Sequence, residues 1–333
     1  MGPHGNQSCH TERSIIMDMK KVTVIGGGVL GSQIAYQTAY CGFDVTVYMR
    51  SEGSISRTKP KIDMWHEIYR KELTAAKAVA GTKAFVSKGL IPDIENTTAE
   101  QIDQLLADAD RAYDGMKYEL DLSKALSGAD LVIESMAEDP EQKTEMYKKM
   151  APLMDEKTIL VTNSSTLLPS QFAEYTGKGG KYLALHFANN IWRANTAEVM
   201  GHAGTDQAAY DRVVEFAKAI HMVPLCLKKE QPGYILNSML VPFLNASERL
   251  WANDVADPQT IDLTWRLGTG GAMGPFQIID IVGLTTVYNI GKMHPGADDP
   301  ATLQGKLMIK LKEKIDKGET GVNAGKGFYD YSR

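Results

Sequence analysis

Residues 20–31 read Lys-Lys-Val-Thr-Val-Ile-Gly-Gly-Gly-Val-Leu-Gly, and the reading of this stretch decides the fold. Val22 to Ile25 is a short β-branched run suited to a buried strand. Gly26, Gly28 and Gly31 at its end spell G-x-G-x-x-G, with Val29 and Leu30 between the last two, and Ser32 to Tyr40 continues with helical character. In such a unit the first glycine permits a tight turn and the second lets backbone amides approach a pyrophosphate. The third lets helix and strand pack closely, with the helix N-terminus aimed at the phosphates. The bare motif is weak. A strand before it, a helix after it and a second strand, Val45 to Tyr48, at the right distance make Gly26, Gly28, Val29, Leu30 and Gly31 a candidate dinucleotide site.

The residue closing the second strand normally distinguishes NAD from NADP, because an acid there bonds the ribose hydroxyls. Position 49 is Met, followed by Arg50 and Ser51; Asp44 stands at the wrong end of the strand and Glu52 is slightly late. An Arg–Ser pair suits a 2′-phosphate. Arg50 and Ser51 are therefore candidate cofactor contacts, and the cofactor is NAD(H) or NADP(H) with a slight lean to NADP(H). The opposing reading leaves Arg50 in solvent and lets Glu52 reach the ribose.

Outward from this unit, Trp65 to Ala80 and Thr98 to Tyr113 both read as helices, a helical excursion from the sheet. Lys59, Lys61, Arg70 and Lys71 within it could meet a phosphorylated substrate, or form a solvated face. The sheet resumes at Ala129 to Met136. Pro140 to Met154 then reads as an amphipathic helix with Met146, Met150 and Leu153 inward as core. Thr158 to Val161 is a strand ending in Thr-Asn-Ser-Ser-Thr, residues 162–166. Polar groups at the carboxyl end of a parallel strand lie where ligands bind in open α/β sheets. Asp206 to Ile220 reads as a helix and Met222 to Leu227 as a last strand.

After Lys228 the pattern changes. Gln231-Pro232-Gly233 breaks the chain, and Ile235 to Trp251, Pro258 to Leu267, Phe276 to Ile290 and Ala301 to Lys317 read as helices. The expected architecture is α/β, a Rossmann-like dinucleotide-binding domain over 19–230 with a helical excursion. An all-α C-terminal domain for substrate and dimerisation follows over 231–333. Residues 1–18 are polar and aperiodic and read as a disordered leader, with Met17 or Met19 as possible original starts.

The chain has 333 residues, 43% hydrophobic and 23% charged, enough for two cores. A net charge of −5 without a long basic run argues against nucleic acid as a partner. No apolar stretch approaches the roughly 18 residues that cross a bilayer, which argues against a membrane partner. Three scattered cysteines, Cys9, Cys41 and Cys226, fit reduced thiols in a cytoplasm. No Cys/His cluster offers a metal site.

The chemistry centres on residues 181–200, Lys-Tyr-Leu-Ala-Leu-His-Phe-Ala-Asn-Asn-Ile-Trp-Arg-Ala-Asn-Thr-Ala-Glu-Val-Met. His186 ends one apolar strand, Tyr182 to Phe187, and Glu198 lies in a second run, Ala197 to Met200. Two strands joined by a loop can bring them together. A carboxylate on one ring nitrogen would hold the imidazole in one tautomer, leaving the other nitrogen to accept a substrate proton.

These residues resemble the 3-hydroxyacyl-CoA dehydrogenase family from about Lys20 to Tyr331. The family's His-Phe-x-Asn segment with a later glutamate matches His186, Phe187, Asn189 and Glu198, and its Asn-x-Ser segment matches Asn163 to Ser165. Glu138 with Lys143, Pro232-Gly233-Tyr234 with Asn237, Met273 to Phe276, and Gly325 to Tyr329 match further motifs in the same order. The resemblance implies an NAD(P)-dependent enzyme in which His186 takes the 3-hydroxyl proton while hydride leaves for the nicotinamide. Glu198 would orient His186, and Ser165 and Asn237 would hydrogen-bond the reacting substrate. Asn189, Glu138 and Lys143 would line the nicotinamide side, with Asn163 beside them. A homodimer is implied as well.

This chain departs from the family at His-Phe-Ala-Asn-Asn-Ile-Trp-Arg, where two prolines are absent and Trp192 and Arg193 are new. That loop borders the substrate in the family, so Trp192 and Arg193, with Asn189, become candidate substrate contacts. The expected substrate is a short-chain 3-hydroxyacyl-CoA, such as 3-hydroxybutyryl-CoA. The alternative is a free 3-hydroxy acid, as for enzymes resembling L-gulonate or L-carnitine dehydrogenase. A more distant alternative is a non-catalytic dinucleotide-binding protein.

Overall fold

The computed structural model describes residues 19–332, so the leader expected over 1–18 lies outside the described residues. The β-branched run after Lys20 forms strand β1 (Lys21–Ile25), whose Val22, Val24 and Ile25 are fully enclosed. Its neighbours are β2 (Asp44–Tyr48) and β4 (Leu131–Glu134), both parallel to it. With β3 (Lys117–Glu119), β5 (Ile159–Thr162), β6 (Tyr182–Phe187), β7 (Thr196–Met200) and β8 (Val223–Cys226) they make an eight-stranded sheet, ordered β3-β2-β1-β4-β5-β6-β7-β8. Only the β6–β7 pair is antiparallel. The chain runs from β1 outward to β3 and returns to place β4 on the other side of β1. A crevice therefore opens at the carboxyl ends of β1 and β4, where open α/β sheets bind ligands.

Helix α1 (Val29–Tyr40) follows the glycine turn and packs Ile34 and Ala35 into the core formed by β1, β2, β4 and β5. Helix α2 (Glu52–Ala76) begins well before the expected Trp65. Its first turns are hydrophilic and contain Pro60, which hides the helical period; Ser51 caps it by accepting from the Ser54 amide at 3.3 Å. Helix α3 (Ala99–Asp114) opens with a capping box between Thr98 and Gln101. It packs Ile102, Ala109 and Ala112 against Ile62, Trp65, Tyr69 and Leu73 of α2. The short β3 and helix α4 (Leu122–Leu126) carry too few residues to show a period in sequence.

Helix α5 (Pro140–Met150) buries Lys143, Tyr147 and Met150, whereas Met146 and Leu153, expected in the core, are only half-buried. Helix α6 (Gln207–Ala219) covers β7 and β8 with Val213, Phe216 and Ala217.

The chain divides into two compact units, one ending at Ile235 and one starting at Leu236. The second contains α7 (Leu236–Ala252), α8 (Pro258–Thr269), α9 (Pro275–Val282), α10 (Leu284–Gly291) and α11 (Leu303–Asp316). The single helix expected over Phe276 to Ile290 is broken at Gly283, whose φ of 92° lies where β-carbon-bearing residues are disfavoured. Phe276, Ile279, Leu284, Leu311 and Phe328 form its core. Asp262 holds the start of α9 through the Phe276 amide at 2.8 Å, and Asp280 holds the terminal segment through the Phe328 amide at 2.8 Å. No described helix is long and apolar enough to cross a membrane.

Candidate active site

Antiparallel pairing sets His186 of β6 directly opposite Glu198 of β7. His186 Nδ1 lies 3.0 Å from Glu198 Oε2, and both side chains are almost fully enclosed. A carboxylate can only accept, so Nδ1 carries the proton and Nε2 presents its lone pair. The Ser165 hydroxyl, on the loop after β5, stands 3.1 Å from that Nε2. The Ile235 amide donates to Glu198 Oε1 at 2.8 Å, so both carboxylate oxygens are engaged and the acid is fixed in place.

Tyr234 completes this group. Its ring stacks on the imidazole at 4.4 Å between centroids and 13° between planes, and its hydroxyl donates to the Ser164 carbonyl at 2.7 Å. Tyr234 has φ 52°, an uncommon value for a bulky residue, after Gly233 with φ 77°. Burial pushes its phenol up, so it stays neutral. In sequence it is one aromatic of a motif with no assigned role. The signal that could have found it is its position directly after a Pro-Gly break.

A second polar group lies at the end of β4. Glu134, fully enclosed, accepts from Lys143 Nζ at 2.7 Å, Tyr147 Oη at 2.8 Å, Thr162 Oγ1 at 2.7 Å and the Met136 amide at 2.7 Å. The Lys143 ammonium is thus drawn into the protein beside Glu134, and 3.7 Å from Glu138. Lys143, expected on the nicotinamide side, is a buried counter-ion to Glu134 that stands next to Glu138 of the crevice wall. Glu134 was not singled out from sequence, although an acid inside the apolar run of β4 is a readable signal for a buried partner.

Glu138 does face the crevice. Burial works to raise its carboxyl. The Ser164 hydroxyl, the Thr166 amide and hydroxyl, and the Lys143 charge outweigh burial and hold it below the ordinary glutamate range. Asn163 lines the crevice as well, and its Oδ1 accepts from the Phe187 amide at 3.0 Å, tying the ends of β5 and β6.

The crevice has a volume of about 680 Å³. Its floor is the glycine turn with Val29 and Leu30; Ser135 to Glu138, Asn163 and Ser165 form one side, and Met49, Arg50, Ser54, Arg57 and Lys61 the other. Gly26 has φ 104°, the turn that glycine allows. A β-carbon on Gly31 would overlap the Gly26 carbonyl oxygen, whereas one on Gly28 would meet no protein atom within 4 Å. Gly28 is therefore open towards the crevice, beside the N-terminus of α1, and a dinucleotide pyrophosphate fits that cradle. Ser51 caps α2 and does not line the crevice; Arg50 does.

Trp192 and Arg193, expected at the substrate, both bond Glu72 of α2 and do not line the crevice. The Trp192 indole is enclosed against Trp65 and Tyr69, and its Nε1 donates to Glu72 at 3.1 Å. Arg193 Nε donates to the same carboxylate at 2.8 Å. Both side chains pin the β6–β7 loop to α2. Arg70, expected to be available to a phosphorylated substrate, is paired with Asp110. Asn189 is exposed in the same β6–β7 loop, and Asn237 belongs to the helical unit, in the first turn of α7.

Residues 21–231 match the family model described as 3-hydroxyacyl-CoA dehydrogenase, NAD binding domain. Residues 233–331 match the one described as its C-terminal domain. The mitochondrial hydroxyacyl-coenzyme A dehydrogenase of Homo sapiens is 30% identical over 315 residues, covering 94% of this chain and 91% of its own. The 3-hydroxybutyryl-CoA dehydrogenase of Clostridioides difficile is 29% identical over 314 residues, covering 94% of this chain and 100% of its own. A solved diketoreductase, described in terms of substrate-directed dual catalysis of dicarbonyl compounds, is 46% identical with a TM-score of 0.79, covering 94% of this chain and 99% of its own.

Proposed function

The chain belongs to the 3-hydroxyacyl-CoA dehydrogenase family and is an oxidoreductase with that family's NAD-binding domain, and from this premise we propose its reaction. It oxidises a short-chain 3-hydroxyacyl-CoA, such as 3-hydroxybutyryl-CoA, to the 3-ketoacyl-CoA and runs the reverse. The observation that supports this best is the Ser165–His186–Glu198 chain, with links of 3.1 and 3.0 Å, whose Ser165 end reaches the crevice of the glycine turn.

The nicotinamide, when bound, supplies the acceptor or donor of a hydride at the carbinol carbon. The rest falls to the chain. Nε2 of His186 takes the hydroxyl proton as the carbonyl forms, with the Ser165 hydroxyl beside the same oxygen. Glu198 keeps Nδ1–H in place and offsets the imidazolium charge in a water-poor setting. The Tyr234 ring, stacked 4.4 Å from the imidazole, holds the plane of the base. In reduction the imidazolium returns the proton to the ketone oxygen. Asn189, Glu138 and Asn163 would border the nicotinamide.

A second reading, a free 3-hydroxy or 1,3-dicarbonyl compound, is favoured by the 46% identity to a diketoreductase. The pairing of Arg70 with Asp110 supports it too, because it removes one cation from those available to a CoA phosphate. A panel of acetoacetyl-CoA, free 3-hydroxy acids, carnitine and a 1,3-diketone, each with both reduced and oxidised cofactors, separates the readings. Turnover of acetoacetyl-CoA at the highest kcat/KM supports the thioester. Turnover confined to the free compounds overturns it. A homodimer in the cytoplasm completes the reading, supported by the exposed apolar side chains of the helical unit and by the free thiols of Cys41 and Cys226.

A further inference from the structure

We propose that the end of β2 and the first three turns of α2 form a site for the 2′-phosphate of NADP(H), so that this chain selects the phosphorylated dinucleotide. The inference rests on the dinucleotide reading of the glycine-turn crevice and deepens it. β2 lies beside β1 in parallel register, Ile25 opposite Tyr48, and the Gly26 amide donates to the Tyr48 carbonyl at 3.2 Å. The residues after Tyr48 therefore stand level with the glycine turn, where an adenosine ribose would lie.

Met49 turns its side chain into the core, 4% exposed, so no carboxylate meets the ribose from that position. Arg50 follows on the crevice wall, and one face of α2 continues the wall with Ser54, Arg57 and Lys61, spaced so that successive turns align. Arg57 Nη2 donates to Ser54 Oγ at 3.0 Å, which orients that guanidinium. Lys61 Nζ reaches the Arg57 carbonyl at 2.6 Å. Arg50, Arg57 and Lys61 form no ion pair with another described residue. Glu52, the acid that could have reached the ribose, is exposed and does not line the crevice.

The lining thus places its cations together beyond Met49, while its acid, Glu138, belongs to the opposite wall. A phosphate monoester of nearly two negative charges is the ligand such a cluster complements. A ribose diol without phosphate finds no carboxylate there to accept its two hydroxyl protons. Guanidinium forks bind phosphate oxygens in pairs, which gives the cluster directional as well as electrostatic preference.

Direct titration of the full chain without substrate, by calorimetry or by nucleotide fluorescence, tests this. NADPH should bind about 10-fold or more tightly than NADH, and 2′,5′-ADP should bind far more tightly than 5′-AMP. Arg50→Ala and Arg57→Ala, both exposed side chains, should each weaken NADPH by about 10-fold while leaving NADH nearly unchanged, with Lys61→Ala as a third variant. Rising salt should weaken NADPH more than NADH. Equal or tighter NADH binding, or equal losses for both cofactors in the arginine variants, overturns the site. Because no hydroxyacyl compound is present, preference for NADH with intact turnover of acetoacetyl-CoA rejects the phosphate site alone. Tight NADPH binding without turnover of any hydroxyacyl compound rejects the proposed reaction alone.

Discussion

At the scale of single residues the site turns on which nitrogen of His186 holds a proton. Glu198 accepts from Nδ1 at 3.0 Å and is itself held by the Ile235 amide, so the free lone pair belongs to Nε2. Replacing the base should remove proton transfer without disturbing the glycine turn. His186→Gln is expected to lower turnover by about 10² to 10⁴ while cofactor affinity stays near that of the wild type. Glu198→Gln should lower turnover less, because the base remains. Steady-state kinetics beside a nucleotide titration checks both, and wild-type turnover in the His186 variant would sink the mechanism. Arg193 and Trp192 carry the opposite lesson. A new aromatic and a new guanidinium in a substrate-bordering loop read as ligand contacts in sequence. Their shared partner, Glu72, stands 120 and 121 positions away, which no local pattern can reveal.

At the scale of elements the strand–turn–helix unit separates two uses of glycine. Gly31 lies where a β-carbon would overlap the Gly26 carbonyl oxygen, and Gly28 where it would meet no protein atom within 4 Å. Gly31→Ala should therefore cost about 1–3 kcal/mol of stability through overpacking, more than the alanine gains in helix propensity. Gly28→Ala should leave the denaturant midpoint nearly unchanged and weaken the dinucleotide. Equal midpoints for the two variants would contradict the assignment. Helix α7 carries a further test. Glu248 is enclosed, its Oε1 has no hydrogen-bond partner among the described residues, and burial raises its carboxyl from 4.5 to about 7. The folded protein keeps this proton after the unfolded chain has released it. Stability from this group therefore falls as pH rises from the unfolded value to about 7, by ~3 kcal/mol. Glu248→Gln should match the wild type near pH 4.5 and exceed it at pH 8 in urea denaturation; a gain independent of pH would rule out the ionisation.

At the scale of the molecule the two compact units differ in how completely they enclose their apolar surface. The helical unit leaves Met239, Val255, Leu263, Leu267 and Met293 exposed, with Leu267 at 78% and Met293 at 78%. Leu263 and Leu267 fall one turn apart on α8 and share a face. Such a surface is covered by a partner more often than by water. Light scattering at micromolar concentration should give twice the mass of one chain, and Leu263→Glu with Leu267→Glu should lower it. A wild-type monomer would contradict the homodimer.

The repeating physics of local structure was legible from the sequence by itself. Short apolar runs, β-branched in β1, mark β1, β2, β4, β5, β6, β7 and β8, and glycine spacing marks the turn above them. A histidine and a glutamate on two consecutive apolar runs mark the pair that the β6–β7 register brings to 3.0 Å. Polarity disguised the early start of α2, and brevity disguised β3 and α4, since a period needs several turns or alternations to show. Only the tertiary structure decided the partners of charged groups. Lys143 went to Glu134 inside the protein, Arg193 went to Glu72, and Tyr234 went onto the imidazole. It also gathered Arg50, Arg57 and Lys61 on one wall of a crevice. Local structure depends on neighbours in the chain, whereas a buried charge or an open cleft depends on elements that meet only after folding. A side chain of one type therefore becomes core counter-ion, loop anchor or ligand contact according to what arrives beside it.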